Sequence, residues 1–144
     1  MQPLPHRYTV VLQDGHLVAP TRTSIPLGPP PQFGGTDRVW SPEELLVGAV
    51  LECLWTTFDA YARRAKLHYD QWSGSGIAVL ERGPTMPVFT SISLTVDMMV
   101  AASDVSRAEQ LLTSAKDHCI IGNALNVPIA VFPSIRGEGI QDVA

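Results

Sequence analysis

The 144 residues are enough for one domain with a hydrophobic core, because a chain of this size buries roughly 70% of its unfolded surface. The formal net charge of −4, without a basic cluster, gives no basis for nucleic-acid binding. The N-terminal residues MQPLPHRYTV lack the apolar segment of a signal peptide, and two cysteines suit a reducing compartment. We therefore expect a cytoplasmic protein.

Three short strands are predicted before residue 28. Residues 6–12 and 16–19 flank Asp14-Gly15, a dipeptide typical of tight hairpin turns, so these two strands should pair antiparallel. Residues 21–27 can form a third strand. The following segment, 28–40, is too rich in proline and glycine for regular structure, and loops of this length often carry function.

A long helix is predicted over residues 41–67. Ser41 can cap it, and Glu44 completes a capping box with Ser41. Residues 45–55 are apolar except for Gly48 and Glu52, and a helix that is apolar nearly all round is buried on most sides. The acidic residues interrupt the apolar run well before the length that a membrane span needs. We therefore expect a central buried helix and no membrane association.

The remaining elements are two strands, a second helix and a final strand. Residues 68–81 and 87–100 are predicted to be long strands, and the second alternates between a packed and a solvated face. A second helix should begin after Ser103 or Asp104, followed by a helical turn over 120–126 and an edge strand over 127–135. The order of elements predicts a single α+β domain over residues 1–144 with an antiparallel sheet.

The two cysteines lie in distinctive contexts. Cys53 ends the pattern P-E-E-L-L-x-G-A-x-x-x-C, and Cys119 lies in A-x-x-x-C-I-I-x-N-A-L. Together with F-G-G…W-S-P-E-E-L-L at residues 33–46, these patterns resemble the OsmC/Ohr family of osmotically inducible and organic hydroperoxide resistance proteins. The resemblance extends over nearly the whole chain, from the first hairpin to the last strand.

The resemblance implies a thiol-dependent peroxidase that works as an intertwined homodimer, with its active sites at the subunit interface. By match to the motifs, Cys53 would be the peroxidatic cysteine, Cys119 the resolving cysteine and Glu43 the catalytic glutamate. The family also places an arginine ahead of the helix to hold the thiolate. Gln32 stands at that position in this sequence. Arg38, or else Arg22, is our candidate for the cation.

The physical chemistry of the helix bears on these roles. A free cysteine with a pKa of about 8.5 is mostly thiol at neutral pH, and Cys53 lies beyond the first turn, where the helix dipole acts. A reactive Cys53 therefore needs a cation. Glu43 lies ten residues earlier, about 15 Å along the helix, so it cannot touch the Cys53 of its own chain. It could approach the Cys53 of a second copy if two such helices pack antiparallel.

Structural interpretations of the same residues stay open at this point. Cys53 can be an ordinary buried cysteine, and Glu43 can be an acid that favours the start of a helix. Cys119 follows His118, but the sequence offers no close ligand spacing for zinc. We expect neither a metal nor another cofactor.

Two functions follow for testing. The first is reduction of a small hydrophobic organic hydroperoxide through a Cys53 sulfenic acid and a Cys53–Cys119 disulfide, with a dithiol, possibly of lipoyl type by family resemblance, as the reductant. The alternative is a non-catalytic protein that binds a small hydrophobic ligand at the dimer interface, which the glutamine at position 32 favours.

Overall fold

The computed structural model describes residues 2–139. In order along the chain, the elements are β1 (Val11–Gln13), β2 (His16–Val18), β3 (Ile25–Pro26), α1 (Pro42–Arg64), β4 (Tyr69–Arg82), β5 (Pro87–Ala101), α2 (Val105–Asp117), α3 (Ile120–Asn123) and β6 (Ile129–Glu138). The α+β class predicted from the sequence is confirmed. The chain divides between Leu45 and Leu46 into two compact units. Because α1 runs through this division, the single domain over residues 1–144 stays a prediction.

The N-terminal unit contains a small antiparallel sheet in the order β1-β2-β3. Asp14 and Gly15 both have positive φ angles, 50° and 72°, as a type I′ hairpin turn requires. The strand predicted over residues 6–12 is wrong for most of its length, since β1 begins only at Val11. In the observed register the next residues to pair would face Ala19 and Pro20, and proline has no N–H to donate to a ladder.

The proline- and glycine-rich loop is folded back on itself. It contains one 3-10 turn, Pro31–Phe33. At its two ends, Leu27 bridges Trp40 in parallel, and the Gly28 N–H donates to the Trp40 carbonyl at 3.0 Å. A Cβ at Gly35 would lie 1.7 Å from the Pro29 carbonyl oxygen, so only glycine fits there. The loop therefore has a defined path into the long helix.

The capping box predicted at the start of α1 is present. The Glu44 N–H donates to Ser41 Oγ at 3.1 Å, and the Ser41 N–H donates to Glu44 Oε1 at 3.2 Å. The Ser41 hydroxyl also donates to Glu44 Oε1 at 2.9 Å. Ser41 is almost fully buried, so these bonds satisfy polar groups that water does not reach.

Only one stripe of α1 is buried in the single chain. Val50, Leu54, Phe58 and Ala62 recur every four residues and enter the core. Trp55 is 40% exposed, and Gly48 has open space beside it. Helix α1 is long and apolar enough to cross a membrane by length and composition alone, a test that core helices of folded domains also pass. Its buried stripe identifies α1 as a core helix.

The main sheet has the order β4-β5-β6. The alternation predicted for the second long strand is confirmed, since Ile92, Leu94, Val96 and Met98 are buried. We predicted an antiparallel sheet, and this is wrong for one strand pair. Strand β5 pairs antiparallel with β4 but parallel with β6. The physical reason is the connection between β5 and β6, which contains α2 and α3 and returns the chain to the same end of the sheet.

Two glycines of β4 let α1 approach the sheet closely. A Cβ at Gly76 would lie 2.6 Å from Val47 Cγ1, and one at Gly74 would lie 2.9 Å from Leu51 Cδ1.

Helix α2 contributes Ala108, Leu112 and Ala115 to the same core. Asp104 occupies the N-cap position of α2 but makes no capping side-chain hydrogen bond. The core therefore places α1 and the end of α2 in the unit that carries both cysteines.

Candidate active site

Cys53 lies in the middle of α1, directly before the buried Leu54. It is a free thiol and is partly exposed. Its carbonyl accepts a hydrogen bond from Thr56 Oγ1 at 3.2 Å, within the helix. No arginine or lysine in residues 2–139 donates a hydrogen bond to its sulfur.

Cys119 lies in the tight turn between α2 and α3, and it is a buried free thiol. It is the N-cap residue of α3, and its Sγ accepts a hydrogen bond from the Gly122 N–H at 3.3 Å. The Asn123 side-chain amide donates to the carbonyls of Cys119 and Asp117, both at 2.9 Å. These bonds hold the backbone around the sulfur in one conformation.

The structure brings the two cysteines together although 66 positions separate them in the sequence. Burial raises the pKa of the Cys119 thiol above its usual value, and the Gly122 N–H on the sulfur opposes this rise. The Cys53 side chain raises the same pKa further, as a hydrogen-bond partner and as a negative charge when it ionises. The two sulfurs are therefore neighbours in the reduced protein.

A cavity of about 300 Å³ borders Cys119. Its apolar wall comes from α1, the sheet and the segment after α3: Val50, Leu54, Leu94, Leu125, Val127, Ile129 and Val131. Its polar part comes from the end of α2 and from α3: Lys116, Asp117 and Asn123. Among the described residues, Cys119 lines the cavity and Cys53 does not. The cavity is thus on the Cys119 side of the pair.

Glu43 lies in the first turn of α1, as predicted. Its Oε2 atom is buried and has no hydrogen-bond partner within residues 2–139. An unpaired buried carboxylate oxygen is costly in a folded protein, and a positively charged donor would offset that cost. Glu43 is therefore ready to accept a hydrogen bond from a group that the described chain does not provide.

Arg38 is exposed, and its backbone N–H donates a hydrogen bond to Thr36 Oγ1 at 3.1 Å. Its guanidinium makes no ion pair among the described residues. Arg22, the other candidate, donates from its side chain to the Pro20 carbonyl and to Thr21 Oγ1. Within residues 2–139, the Arg22 guanidinium therefore has hydrogen-bond partners and the Arg38 guanidinium has none.

Sequence reasoning did not assign the partners of Cys119. The Gly122 N–H, which donates to the sulfur, was not predicted from the sequence. The Asn123 bonds were also missed. The available signal was the C-x-x-x-N spacing, which places an amide one helical turn after the cysteine. Within residues 2–139, no group of three or more histidine, cysteine or acidic side chains could hold a metal ion.

Comparison with known proteins places these features in a family. The family model for OsmC-like proteins matches residues 35–132. Among curated proteins, none matches the chain at a significant level. The family match covers more than half of the chain and includes both cysteines.

Solved structures share the fold at low sequence identity. An OsmC-like protein from Mycoplasma pneumoniae is 15% identical with a TM-score of 0.76, over 92% of this chain and 99% of that one. An organic hydroperoxide resistance protein from Elizabethkingia anophelis is 15% identical with a TM-score of 0.72, over 94% of this chain and 100% of that one. Another organic hydroperoxide resistance protein, from Legionella pneumophila, is 20% identical with a TM-score of 0.68, over 92% of this chain and 99% of that one. With its fold and its family match in agreement, this chain belongs to the OsmC-like protein family.

Proposed function

We propose that the protein is a thiol-dependent peroxidase for organic hydroperoxides. The observation that carries the proposal is that the Cys53 thiol lies near enough to the Cys119 thiol to raise its pKa. Two free cysteines close together, with a cavity beside them, suit a reversible thiol–disulfide cycle. The names of two similar structures, organic hydroperoxide resistance proteins, agree with this chemistry.

The reaction proceeds in three steps. The Cys53 thiolate attacks the distal peroxide oxygen, which breaks the O–O bond and gives a sulfenic acid and an alcohol. The Cys119 sulfur then displaces water from the sulfenic acid and forms the Cys53–Cys119 disulfide. An external dithiol reduces this disulfide and returns both thiols. Cys53 takes the first role because it is the more exposed of the two sulfurs.

The cation that activates Cys53 comes from Arg38 in this proposal. A thiolate needs a neighbouring positive charge to form at neutral pH, and the Arg38 guanidinium has no ion pair among the described residues. The buried Oε2 of Glu43 accepts a hydrogen bond from that guanidinium and orients it. Glu43 and Arg38 thus form a pair whose function is to stabilise the Cys53 thiolate.

The active form is a homodimer in which α1 packs against α1 of a second copy. One face of α1 remains uncovered in the single chain, where Trp55 is 40% exposed and Gly48 has open space. In the N-terminal unit, Tyr8 and Leu12 are 91% and 68% exposed. Burying apolar surface of this kind favours association. The dimer would also bring Glu43 of one copy towards Cys53 of the other.

The substrate is a small hydrophobic hydroperoxide. Val50 and Leu54 flank Cys53 along α1, and they form part of the apolar wall of the cavity. An alkyl group gains free energy by leaving water for such a surface, which hydrogen peroxide cannot do. We place the protein in the cytoplasm, where dithiol reductants keep cysteines reduced.

Peroxide consumption with a dithiol reductant tests the proposal. The wild type should consume cumene hydroperoxide faster than hydrogen peroxide, and Cys53→Ser should reduce the rate to background. Ser106→Ala, at an exposed position near the start of α2, is the control and should retain activity. Equal background rates for the wild type and Cys53→Ser would contradict the peroxidase.

The second candidate is a non-catalytic protein that binds a small hydrophobic ligand. The observation that favours it is the glutamine at position 32, together with the lack of an arginine or lysine hydrogen bond to the Cys53 sulfur within residues 2–139. Under this reading the wild type and Cys53→Ser bind a hydrophobic probe equally well and neither consumes peroxide. Binding that persists without turnover would decide for this candidate.

A further inference from the structure

We propose that Tyr69 is a one-electron oxidation site that quenches oxygen-centred organic radicals, with Trp55 as the side chain through which the electron leaves. The inference goes beyond the proposed peroxidase and does not depend on it, because it uses neither cysteine. It concerns a group of aromatic and acidic side chains where α1 meets the start of β4. The members are Trp55 and Asp59 of α1 and Tyr69 and Trp72 of β4.

The Tyr69 hydroxyl lies between a donor and a base. It donates to Asp59 Oδ1 at 2.7 Å and accepts from Trp55 Nε1 at 3.2 Å. A hydrogen bond from a hydroxyl to a carboxylate is charge-assisted and short. It therefore holds the phenolic proton next to the oxygen that takes the proton when the phenol loses an electron. The same hydroxyl contacts an indole, which provides a path for the electron.

The phenol has to lose its proton when it is oxidised. Burial raises the pKa of Tyr69, and its bond to Asp59 raises it further, so the side chain is a neutral phenol at neutral pH. Removing an electron from a neutral phenol makes it a strong acid, and Asp59 is in place to accept the proton. Arg63 Nη2 pairs with the other carboxylate oxygen, Asp59 Oδ2, at 2.8 Å. That pair keeps Oδ1 turned towards Tyr69.

Trp72 indicates why the oxidation ends on Tyr69. Its ring centroid lies 6.2 Å from that of Trp55, within the range of direct ring contact, so an electron passes readily between the two indoles. Trp72 Nε1 is buried and has no hydrogen-bond partner within residues 2–139. An oxidised indole there has no described base to which it can pass its proton, whereas the Tyr69 phenol has Asp59. The oxidised state is therefore most stable on Tyr69.

Trp55 is the side chain that the oxidant approaches. It is exposed in the single chain, whereas Tyr69 and Trp72 are half-buried. Its apolar ring favours an uncharged organic radical over a charged oxidant, because contact between apolar surfaces releases water. Electron transfer acts across several ångströms of packed side chains. A second copy on this face of α1 would therefore slow the reaction without preventing it.

The reaction balances for an alkoxyl radical. One electron passes from the Tyr69 phenol through Trp55 to the radical oxygen, and the phenolic proton moves to Asp59 Oδ1. The alkoxyl radical becomes an alkoxide, which takes a proton from water and leaves as an alcohol. Asp59 then releases its proton to the hydroxide that remains. A soluble thiol finally gives one hydrogen atom to the tyrosyl oxygen, which restores the phenol and leaves a thiyl radical.

Pulse radiolysis with azide radicals tests the site in the wild-type protein. The azide radical oxidises indoles first, so the absorption of a tryptophanyl radical should appear and then decay as that of a tyrosyl radical grows. We expect a first-order conversion whose rate is independent of protein concentration, because the two side chains are already in contact. A conversion that accelerates with protein concentration, or no conversion at all, would overturn the inference.

Two pairs of variants assign the side chains. Tyr69→Phe should lower the tyrosyl yield of this conversion roughly tenfold, and Trp55→Phe should slow the conversion by about the same factor. The matched controls are Tyr61→Phe, at a half-buried tyrosine of α1, and Trp40→Phe, at an exposed tryptophan of the loop, and both should behave as the wild type. A conversion that is lost in a control and kept in its counterpart would place the radical elsewhere.

Asp59→Asn separates proton transfer from a structural role. Asparagine keeps the size of the side chain and an oxygen that can accept the Tyr69 hydrogen bond, but its amide is a far weaker base than a carboxylate. The conversion should therefore slow roughly tenfold. Asp70→Asn, at the exposed neighbour of Tyr69, is the matched control and should keep the wild-type rate. A folded Asp59→Asn variant that converts at the wild-type rate would contradict proton transfer to Asp59.

Photolysis of di-tert-butyl peroxide tests the class of oxidant, since it releases alkoxyl radicals and the parent compound is not a hydroperoxide. Freeze-quenched wild-type protein should show the electron paramagnetic resonance signal of a tyrosyl radical, and Tyr69→Phe should reduce that signal roughly tenfold. A tyrosyl signal with azide radicals but none with alkoxyl radicals would overturn the assignment of the site to organic radicals.

Discussion

The Tyr69 hydroxyl donates a 2.7 Å hydrogen bond to the carboxylate of Asp59 and thereby connects the first residue of β4 to α1. Trp55 Nε1 donates to the same hydroxyl at 3.2 Å. Asp59 also pairs with Arg63 at 2.8 Å. Burial raises the pKa of the Tyr69 phenol, and its bond to Asp59 raises it further. The phenol therefore remains a donor across the neutral range.

Tyr69→Phe should lower the free energy of unfolding by about 1 kcal/mol, or somewhat more, because it removes one donor and one acceptor from this network. Urea denaturation followed by circular dichroism measures the change. Tyr8→Phe is the control, since Tyr8 is 91% exposed and should show no loss. An unchanged midpoint for Tyr69→Phe would contradict a stabilising role for the network.

Gly76→Val should lower the free energy of unfolding by about 1–3 kcal/mol, because added methyl groups would press on Val47 at a site where even a Cβ lies 2.6 Å away. Ser75→Val, one residue earlier on the exposed face, is the matched control and should be nearly neutral. A difference of less than a few tenths of a kcal/mol between the two variants would show that α1 yields readily.

Ser41→Ala should cost about 1 kcal/mol, since it removes the hydroxyl that accepts from the Glu44 N–H. Thermal unfolding provides the measurement. Glu52→Ala, at an exposed position of the same helix, controls for the general effect of alanine substitution in α1. A Ser41→Ala variant as stable as the control would mean that water replaces the cap.

Alkylation of Cys119 should require higher pH than alkylation of an ordinary thiol, because its pKa is raised by burial and by Cys53. The native state holds this proton more tightly than the unfolded chain does, so stability falls as pH rises above the unfolded value of about 8.5. Iodoacetamide labelling rates between pH 6 and 10, resolved by peptide mass spectrometry, give the profile. Cys53→Ser should shift it to lower pH, and no shift would contradict the influence of Cys53.

Gly48→Leu should convert a dimer to monomers if α1 packs against a second copy. A Cβ at Gly48 would meet nothing within 4 Å among residues 2–139, so we expect the protomer itself to tolerate leucine. Light scattering at micromolar concentration measures the mass, and Ser106→Leu on the exposed face of α2 is the control. A monomeric wild type would reject the homodimer.

The sequence by itself determined the elements that depend on local chemistry. Ser41 and Glu44 marked the start of α1 because a capping box acts within one turn. The alternation in β5 identified its buried face, since successive side chains point to opposite sides of a strand. Asp14-Gly15 fixed the first hairpin through its positive φ angles. The two cysteine motifs indicated the family, which the family model confirms.

Only the tertiary structure decided the features that depend on distant parts of the chain. The parallel pairing of β6 with β5 follows from a crossover through two helices, and no local pattern records the direction in which a strand returns. Cys53 lies near Cys119 because the core packs α1 against the sheet beside the end of α2. The cavity borders Cys119 because residues from α1, α2, α3, β5 and β6 line it there. The cavity depends on how these elements pack against one another, and that packing exists only in the folded chain.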